Sequence, residues 1–348
     1  MIKVAIVGCG LIATEKYIPI FKKLKDRVKI VGICDLNENI LKKVATIWRI
    51  ENAYKDFSTM LSEQVPDLVV ICTPPRTHAR LAIEAMEKGA HVLVEKPMAT
   101  SIVECDNMID AAIRWGRKLG VMHNQLFNPA FEKARQLVNS NSVGRFLGMR
   151  IFLVTPIDYM TSKAEHWAHK LPGGVLGETG PHAVYLSLAF LDNIRDVQVR
   201  YKKLFPEYPW SVAEDIRIDL IADNGMSSII LAYGSAQTTA EVDIICTDAL
   251  LKVDLQTRTM VVHRRPDISA RTIGKSVVST VHQMSRALVL NTLRYAFSID
   301  WDPHYRGVRK FLDYMEGNAE YQVTGEEGKR NIAVMEIIVQ RMQEKPGV

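Results

Sequence analysis

The stretch IKVAIVGCGLIA, residues 2–13, decides how the rest of the chain is read. Ile2, Val4, Ala5, Ile6 and Val7 make a short, nearly continuous apolar run, as in a strand buried on both faces of a parallel sheet. The run ends in Gly8-Cys9-Gly10-Leu11-Ile12-Ala13, which fits the G-x-G-x-x-A pattern. In a dinucleotide-binding turn Gly8 allows the sharp exit from the strand, and Gly10 lets the backbone approach a pyrophosphate. Ala13 keeps the next helix close to the sheet, and that helix aims its unpaired N–H groups at the phosphates.

Context strengthens the pattern. VKIVGICD, residues 28–35, reads as a second strand that ends in Asp35, a little beyond the roughly twenty residues usual after the glycines. A carboxylate there accepts hydrogen bonds from both ribose hydroxyls and repels a 2′-phosphate, so NAD is favoured, with NADP the alternative. The competing reading is an ordinary strand-to-helix turn in which Asp35 is the helix N-cap.

At 348 residues the chain is long for one core, so two domains are expected. A composition of 47% hydrophobic and 24% charged residues is that of a folded globular protein. The net charge of +5 comes without a basic tract or interleaved aromatics, which argues against a nucleic-acid partner. Cys9, Cys34, Cys72, Cys105 and Cys246 are odd in number and unpaired in spacing, as in a reduced, intracellular protein. A strand beginning at residue 2 leaves no room for a signal peptide, and no apolar run reaches membrane-spanning length. A cytoplasmic protein without an integral membrane segment is expected.

Residues 14–27 read as a short turn and a fresh helix starting near Pro19. Strand-like runs at 28–35, 53–54, 67–75, 91–97 and 118–122 alternate with helical patterns at 36–49, 57–63, 78–88 and 101–115. That alternation predicts a doubly wound parallel sheet, a Rossmann domain over residues 1–123. Past Asn124 the pattern changes. Helices at 129–139 and 175–191 and strands at 144–155, 197–203, 215–222, 226–233, 240–246 and 250–263 predict an α+β domain over residues 124–348, with an open, mostly antiparallel sheet. One face of such a sheet needs a cover besides its own helix, and a partner subunit is the natural one. Residues 273–297 place Ile273, Val277, Val281, Met284 and Leu288 at helical spacing among Arg271, Lys275, Arg286 and Arg294. A helix packed on its own protein is the favoured reading there, with contact to a membrane surface or partner as the alternative. Two final helices, at 304–316 and 326–344, are expected to pack back against the domains.

Lys96 stands at the carboxyl end of a predicted parallel strand, in Glu95-Lys96-Pro97, where ligands of open α/β sheets bind. Its ammonium can hold a substrate hydroxyl and favour loss of the proton; a surface lysine before a turn is the plain alternative. Glu178 and His182 lie four apart on one predicted helix, with Tyr185 a further turn along the same side. Oxidation of an alcohol by a nicotinamide needs a base, which an imidazole supplies near neutral pH. A helix-surface ion pair is the rival reading. His166, His169, Glu178 and His182 are zinc-ligand types, but their spacing matches no H-E-x-x-H site, so no metal is expected.

Taken together, GCGLIA at 8–13, TPPRTH at 73–78, VEKP at 94–97, HNQLFNP at 123–129, VGRFLG at 143–148 and PGGVLGETGPH at 172–182 resemble the Gfo/Idh/MocA family, named for glucose–fructose oxidoreductase, inositol dehydrogenase and rhizopine catabolism. The resemblance covers nearly the whole chain. It implies a Rossmann domain followed by an open-faced sheet domain, NAD(P) as cofactor, and association through the sheet into a homodimer or homotetramer. Lys96 matches the family's substrate-contacting lysine and His182 its acid/base histidine. The resemblance places Gly8, Gly10, Leu11, Ile12, Ala13, Asp35, Thr73, Pro74, His78, Glu95 and Lys96 at the cofactor, and Asn124 and Gln125 beside the active site. Where the family commonly has aspartate four residues before the histidine, this chain has Glu178. His166-Trp167 offers an aromatic face to sugar C–H groups, or else a core residue. The expected activity is hydride transfer between nicotinamide and a hydroxyl or keto carbon of a sugar, cyclitol or related compound. The alternative is a dinucleotide-sensing regulatory or scaffold protein of the same fold without turnover.

Overall fold

The computed structural model describes residues 1–297 and 302–344. The chain forms two compact units, Met1–His123 with His304–Ala333, and Asn124–Pro303 with Val334–Val348.

In the first unit β1 (Ile2–Val7), β2 (Val28–Cys34), β3 (Ala53–Tyr54), β4 (Leu68–Ile71), β5 (His91–Glu95) and β6 (Leu119–Met122) form one sheet in the order β3-β2-β1-β4-β5-β6. Every neighbour pair is parallel. The apolar runs make this the core: Val4, Ala5 and Ile6 of β1 and all four residues of β4 have no exposed surface. Burying each such side chain contributes about 2 kcal/mol. The strand order reverses direction between β1 and β4, which puts the switch point of the doubly wound sheet at their carboxyl ends.

Helix starts follow side-chain chemistry. Asn37 accepts the N–H groups of Asn39 and Ile40 to open the helix Glu38–Trp48, and Ser101 opens Ile102–Arg114. Asn37 is therefore the N-cap of the helix after β2, which leaves Asp35 outside the helix. The short turn and fresh helix expected near Pro19 are the π-helical turn Ala13–Tyr17 and the helix Ile18–Lys23, with Pro19 in its first turn and no break between the two. The Ile18 N–H reaches the Ala13 carbonyl, so the missing proline N–H falls just past the wide turn. The edge strand β6 is covered by residues 321–324, where the Val121 N–H donates to the Val323 carbonyl at 2.9 Å.

The second unit holds β7 (Phe146–Pro156), β8 (Ile194–Lys202), β9 (Asp215–Ala222), β10 (Gly225–Ser235), β11 (Thr239–Cys246), β12 (Leu250–Asp254) and β13 (Thr259–His263). Their order is β13-β12-β11-β7-β10-β9-β8; β7 and β10 are parallel and all other neighbours antiparallel. The single run expected over 250–263 is a hairpin. The Asp254 carboxylate accepts the N–H groups of Gln256 and Thr257, and Arg258 takes φ +56°, which turns the chain back. Met149, Ile151, Ile229, Leu231, Val242 and Ile244 line the inner face, and the helices Pro129–Asn139 and Leu176–Leu188 pack on the sheet. The other face carries Arg150 paired with Asp243 at 2.7 Å and Asp219 accepting from the Ser228 hydroxyl at 2.6 Å.

The helix Ala270–Phe297 packs on β13 of its own sheet, as expected, but not through its apolar positions. Ile273, Val277, Val281, Met284 and Leu288 point away from the protein rather than into it. Among the described residues no helix is long and apolar enough to cross a membrane.

Candidate active site

In the first unit the candidate residues gather at the carboxyl ends of the parallel strands. Gly8 follows β1 with φ +90°, and a Cβ there would stand 2.7 Å from the Cys72 carbonyl carbon and 2.8 Å from the Thr73 nitrogen. Only glycine lets this turn lie so close to the loop after β4. At Gly10 the place of a Cβ meets no atom within 4 Å, so the backbone there is open to an approaching group. The first helical bond runs from the Thr14 N–H to the Gly10 carbonyl at 3.1 Å, which leaves the N–H groups of residues 11–13 ahead of the helix's own ladder. Leu11 is exposed beside them and Ala13 is buried against the sheet.

Asp35, just past β2, accepts the Cys9 N–H at 2.7 Å on one carboxylate oxygen and the Asn37 N–H at 2.8 Å on the other. Each oxygen retains a further lone pair. Residues 10–13 fit a diphosphate and Asp35 fits a ribose diol. Burial and the Asp35 charge push the Cys9 and Cys34 thiols up to about 12, so both are neutral packing groups rather than nucleophiles.

Thr73 and Pro74 follow β4, and the Thr73 hydroxyl accepts from the Thr77 hydroxyl at 2.7 Å. The wholly buried His78 ring sets its Nε2 at 2.7 Å from the Thr73 carbonyl and its Nδ1 at 3.0 Å from the Pro97 carbonyl. His78 thus ties the loop after β4 to the loop after β5, and its ring presents no surface to a ligand. Glu95 ends β5 in the interior, accepting the Tyr17 hydroxyl at 2.7 Å, with the His304 Nε2 at 3.7 Å. Lys96 comes next, half-buried, its backbone N–H on the Glu95 carboxylate. His123, at the end of β6, is held down to about 3 by burial and by the Lys96 charge, so its imidazole stays neutral beside that ammonium.

In the second unit the helix Leu176–Leu188 carries Glu178, His182 and Tyr185 on one side. Gly177 lets this helix sit close to the preceding loop: a Cβ there would lie 2.6 Å from the Pro172 carbonyl oxygen. The Tyr185 hydroxyl accepts the Gln125 N–H at 3.2 Å, donates to the Asn124 Oδ1 at 3.1 Å and lies 2.6 Å from the His182 Nδ1. A phenol has one proton to give. With that proton assigned to Asn124, the His182 Nδ1 carries the ring's hydrogen and donates to Tyr185. Its Nε2 is then the basic atom. Asn124 and the Gln125 N–H thereby hold the Tyr185 hydroxyl against the His182 ring.

Glu178, half-buried, directs its charge at His166 and Tyr233. Burial lowers the His166 imidazole while Glu178 opposes that shift. Trp167 stacks on His166 with centroids 5.5 Å apart and remains 39% exposed, so it is a surface aromatic and not a core residue. Among the described residues no three His, Cys, Asp or Glu side chains stand close enough together to hold a metal ion.

Residues 2–123 match the family described as "Oxidoreductase family, NAD-binding Rossmann fold", and residues 131–252 match the Gfo/Idh/MocA C-terminal domain. The chain belongs to the Gfo/Idh/MocA family. Oxidoreductase P35 of Formosa agariphila is 25% identical over 198 residues, 56% of this chain and 61% of that protein. Myo-inositol 2-dehydrogenase of Thermotoga maritima is 26% identical over 162 residues, 45% of this chain and 48% of that protein. The aligned stretch thus spans about half to three-fifths of these curated relatives' own length. The WlbA dehydrogenase of Bordetella pertussis, solved with NADH and UDP-GlcNAcA, superposes with a TM-score of 0.80 at 20% identity, covering 99% of this chain and 96% of that one, and shares the fold.

Within this Gfo/Idh/MocA chain the structure brings Gly8, Gly10, Leu11, Ala13, Asp35, Thr73 and Lys96 to the strand ends of the NAD-binding domain, and joins His182 to Asn124 and Gln125 through Tyr185. Two members escaped the sequence reading. Tyr185 was noticed only as a neighbour on the helix, because its partners are 60 and 61 residues away. His123 was read only as part of a motif; the signal available was its place immediately after a predicted strand.

Proposed function

We propose that this protein oxidises a secondary alcohol of a sugar, cyclitol or related compound, or reduces the matching ketone, with NAD as hydride partner and NADP as the poorer alternative. When bound, the nicotinamide accepts or returns the hydride. The rest of the chemistry falls to the chain. The His182 Nε2 takes the hydroxyl proton during oxidation and returns it during reduction. Tyr185 and Asn124 keep that nitrogen in its basic form. The Lys96 ammonium, just past the end of β5, is suited to stabilise negative charge that grows on a substrate oxygen. Asp35 receives the adenosine ribose hydroxyls, and Trp167 offers its exposed face to the C–H groups of a ring substrate. Glu178 serves as an acceptor for a further hydroxyl.

The observation that carries this reading is the chain of hydrogen bonds from Asn124 through Tyr185 to His182, which fixes the orientation of an imidazole on a helix of this family. The name of the Thermotoga maritima relative, a myo-inositol 2-dehydrogenase, supports a polyol substrate class. The outer sheet face, with Arg150 and Asp243 paired at 2.7 Å and Phe152 and Ile230 beside them, suits a second copy of the chain, in a homodimer or homotetramer. Five cysteines outside any disulfide support a reducing, cytoplasmic setting.

The test is a panel of cyclitols, aldoses, keto sugars and nucleotide-linked sugars assayed for NADH production or consumption, with NAD binding measured in parallel. Turnover on at least one member, lost in Lys96→Met and His182→Ala with NAD affinity kept, is the expected result. NAD binding without turnover on any member would replace the enzyme by a dinucleotide sensor.

A further inference from the structure

Residues 264–297 hold six cations, Arg264, Arg265, Arg271, Lys275, Arg286 and Arg294, against one acid, Asp267. That excess equals the net charge of the entire chain, +5, so the rest of the protein is electrically balanced. The helix Ala270–Phe297 contains no acidic residue at all.

Its two faces are reversed relative to an ordinary surface helix, which buries an apolar stripe and shows a polar one. The side turned to the protein is small and polar: Thr272, Ser276, Thr280, Gln283, Ala287 and Asn291 recur at helical spacing and are its less exposed residues. Ser276 accepts the Arg265 Nε at 2.7 Å. Gln283 accepts the Val262 N–H at 2.9 Å and donates to the Val262 carbonyl at 3.1 Å, capping the sheet-edge strand β13 as a further strand would. The Asn291 amide donates to the Thr257 carbonyl at 3.1 Å. The outward side carries Val278, Val281, Leu288 and Val289, 70%, 59%, 69% and 57% exposed, interspersed with Gly274, Ser285 and Thr292. Hydrogen bonds thus hold the helix to its own sheet while an apolar stripe faces out.

Charge decides what that stripe meets. A second copy placed across a two-fold axis would bring the Arg271, Lys275 and Arg286 sets together, with no carboxylate on either helix to answer them. Anionic lipid headgroups answer the cations, and the acyl boundary accepts the Val and Leu side chains. We propose that the helix Ala270–Phe297 lies flat on an anionic bilayer surface, with Val278, Val281, Leu288 and Val289 sunk below the headgroups and Lys275 and Arg286 flanking them at the phosphate level. This surface role is independent of the dinucleotide and of the proposed chemistry.

Flotation of the full-length protein with phosphatidylglycerol–phosphatidylcholine vesicles, against vesicles of phosphatidylcholine alone, tests it. The wild type is expected to float with the anionic vesicles only. Each of Arg271→Gln, Lys275→Gln and Arg286→Gln should weaken partitioning about fivefold. The double variant Val281→Asp, Leu288→Asp should remain in the soluble fraction while keeping the wild-type melting temperature, since both side chains are exposed. Wild-type protein that stays soluble with anionic vesicles, or binding unchanged by these substitutions, overturns the proposal. So does a wild-type oligomer that the double variant converts to a smaller species in sedimentation velocity, because the stripe would then belong to a second copy.

Discussion

At His182 the imidazole is oriented by a phenol: its Nδ1 lies 2.6 Å from the Tyr185 hydroxyl, which in turn meets Asn124 and the Gln125 N–H. This arrangement makes a sharp prediction. Tyr185→Phe keeps the ring packing but removes the hydroxyl that selects the tautomer, so kcat should fall at least about tenfold with the NAD dissociation constant unchanged, as read by steady-state kinetics and calorimetry. Asp35 makes a different one. Its carboxylate is anchored by the Cys9 and Asn37 N–H groups, so Asp35→Ser should remove the repulsion of a 2′-phosphate and move the NADP-to-NAD preference in kcat/KM upward by about tenfold. Residues that act through neighbours in sequence, such as Gly8 to Ala13, could be read directly from the chain. The Tyr185 relay could not, because Asn124 stands 61 residues away and only folding puts them together.

Elements carry the next set of consequences. The widened turn Ala13–Tyr17 delivers the Tyr17 hydroxyl to the buried Glu95 at the end of β5, linking the helix after the glycine turn to the strand before Lys96. Tyr17→Phe should cost about 2 kcal/mol in urea unfolding, because the carboxylate loses a buried donor. In the second unit, burial by itself would raise the Glu214 carboxyl. The nearby Ser211 hydroxyl, the Leu204 and Phe205 N–H groups and the Lys203 ammonium more than reverse that and hold it below the usual carboxylate range. The sign follows: a carboxyl lowered by folding adds stability that is complete above its unfolded pKa and is lost as pH falls through the folded value. Lys203→Met, which leaves Glu214 buried without its cation, should destabilise by about 3 kcal/mol near neutral pH, measured as a shift of the urea midpoint. Elements with strong periodicity, such as β1 and the helix Pro129–Asn139, match their sequence patterns closely. The hairpin within 250–263 was hidden because its apolar pattern continues on both sides of a turn made by one aspartate. The helix Ala270–Phe297 docks on its own sheet as expected, but the side it docks with was not legible, because periodicity reports that apolar positions recur and not which way they face.

For the molecule as a whole, Lys96 belongs to one unit and His182 to the other. Lys96→Met and His182→Ala should each lower kcat by about a hundredfold. NAD at about a hundred times its dissociation constant should stabilise the protein by about 2.7 kcal/mol, seen as a raised melting temperature, and both single variants should keep that rise. The most direct measurement follows the hydride itself. With the polyol that turns over best, labelled with deuterium on the carbinol carbon, the account predicts that the label appears at nicotinamide C4 of the NADH formed by the wild type, and that His182→Ala slows this transfer by about a hundredfold or more. Label released to solvent, or transfer at the wild-type rate in His182→Ala, would contradict it.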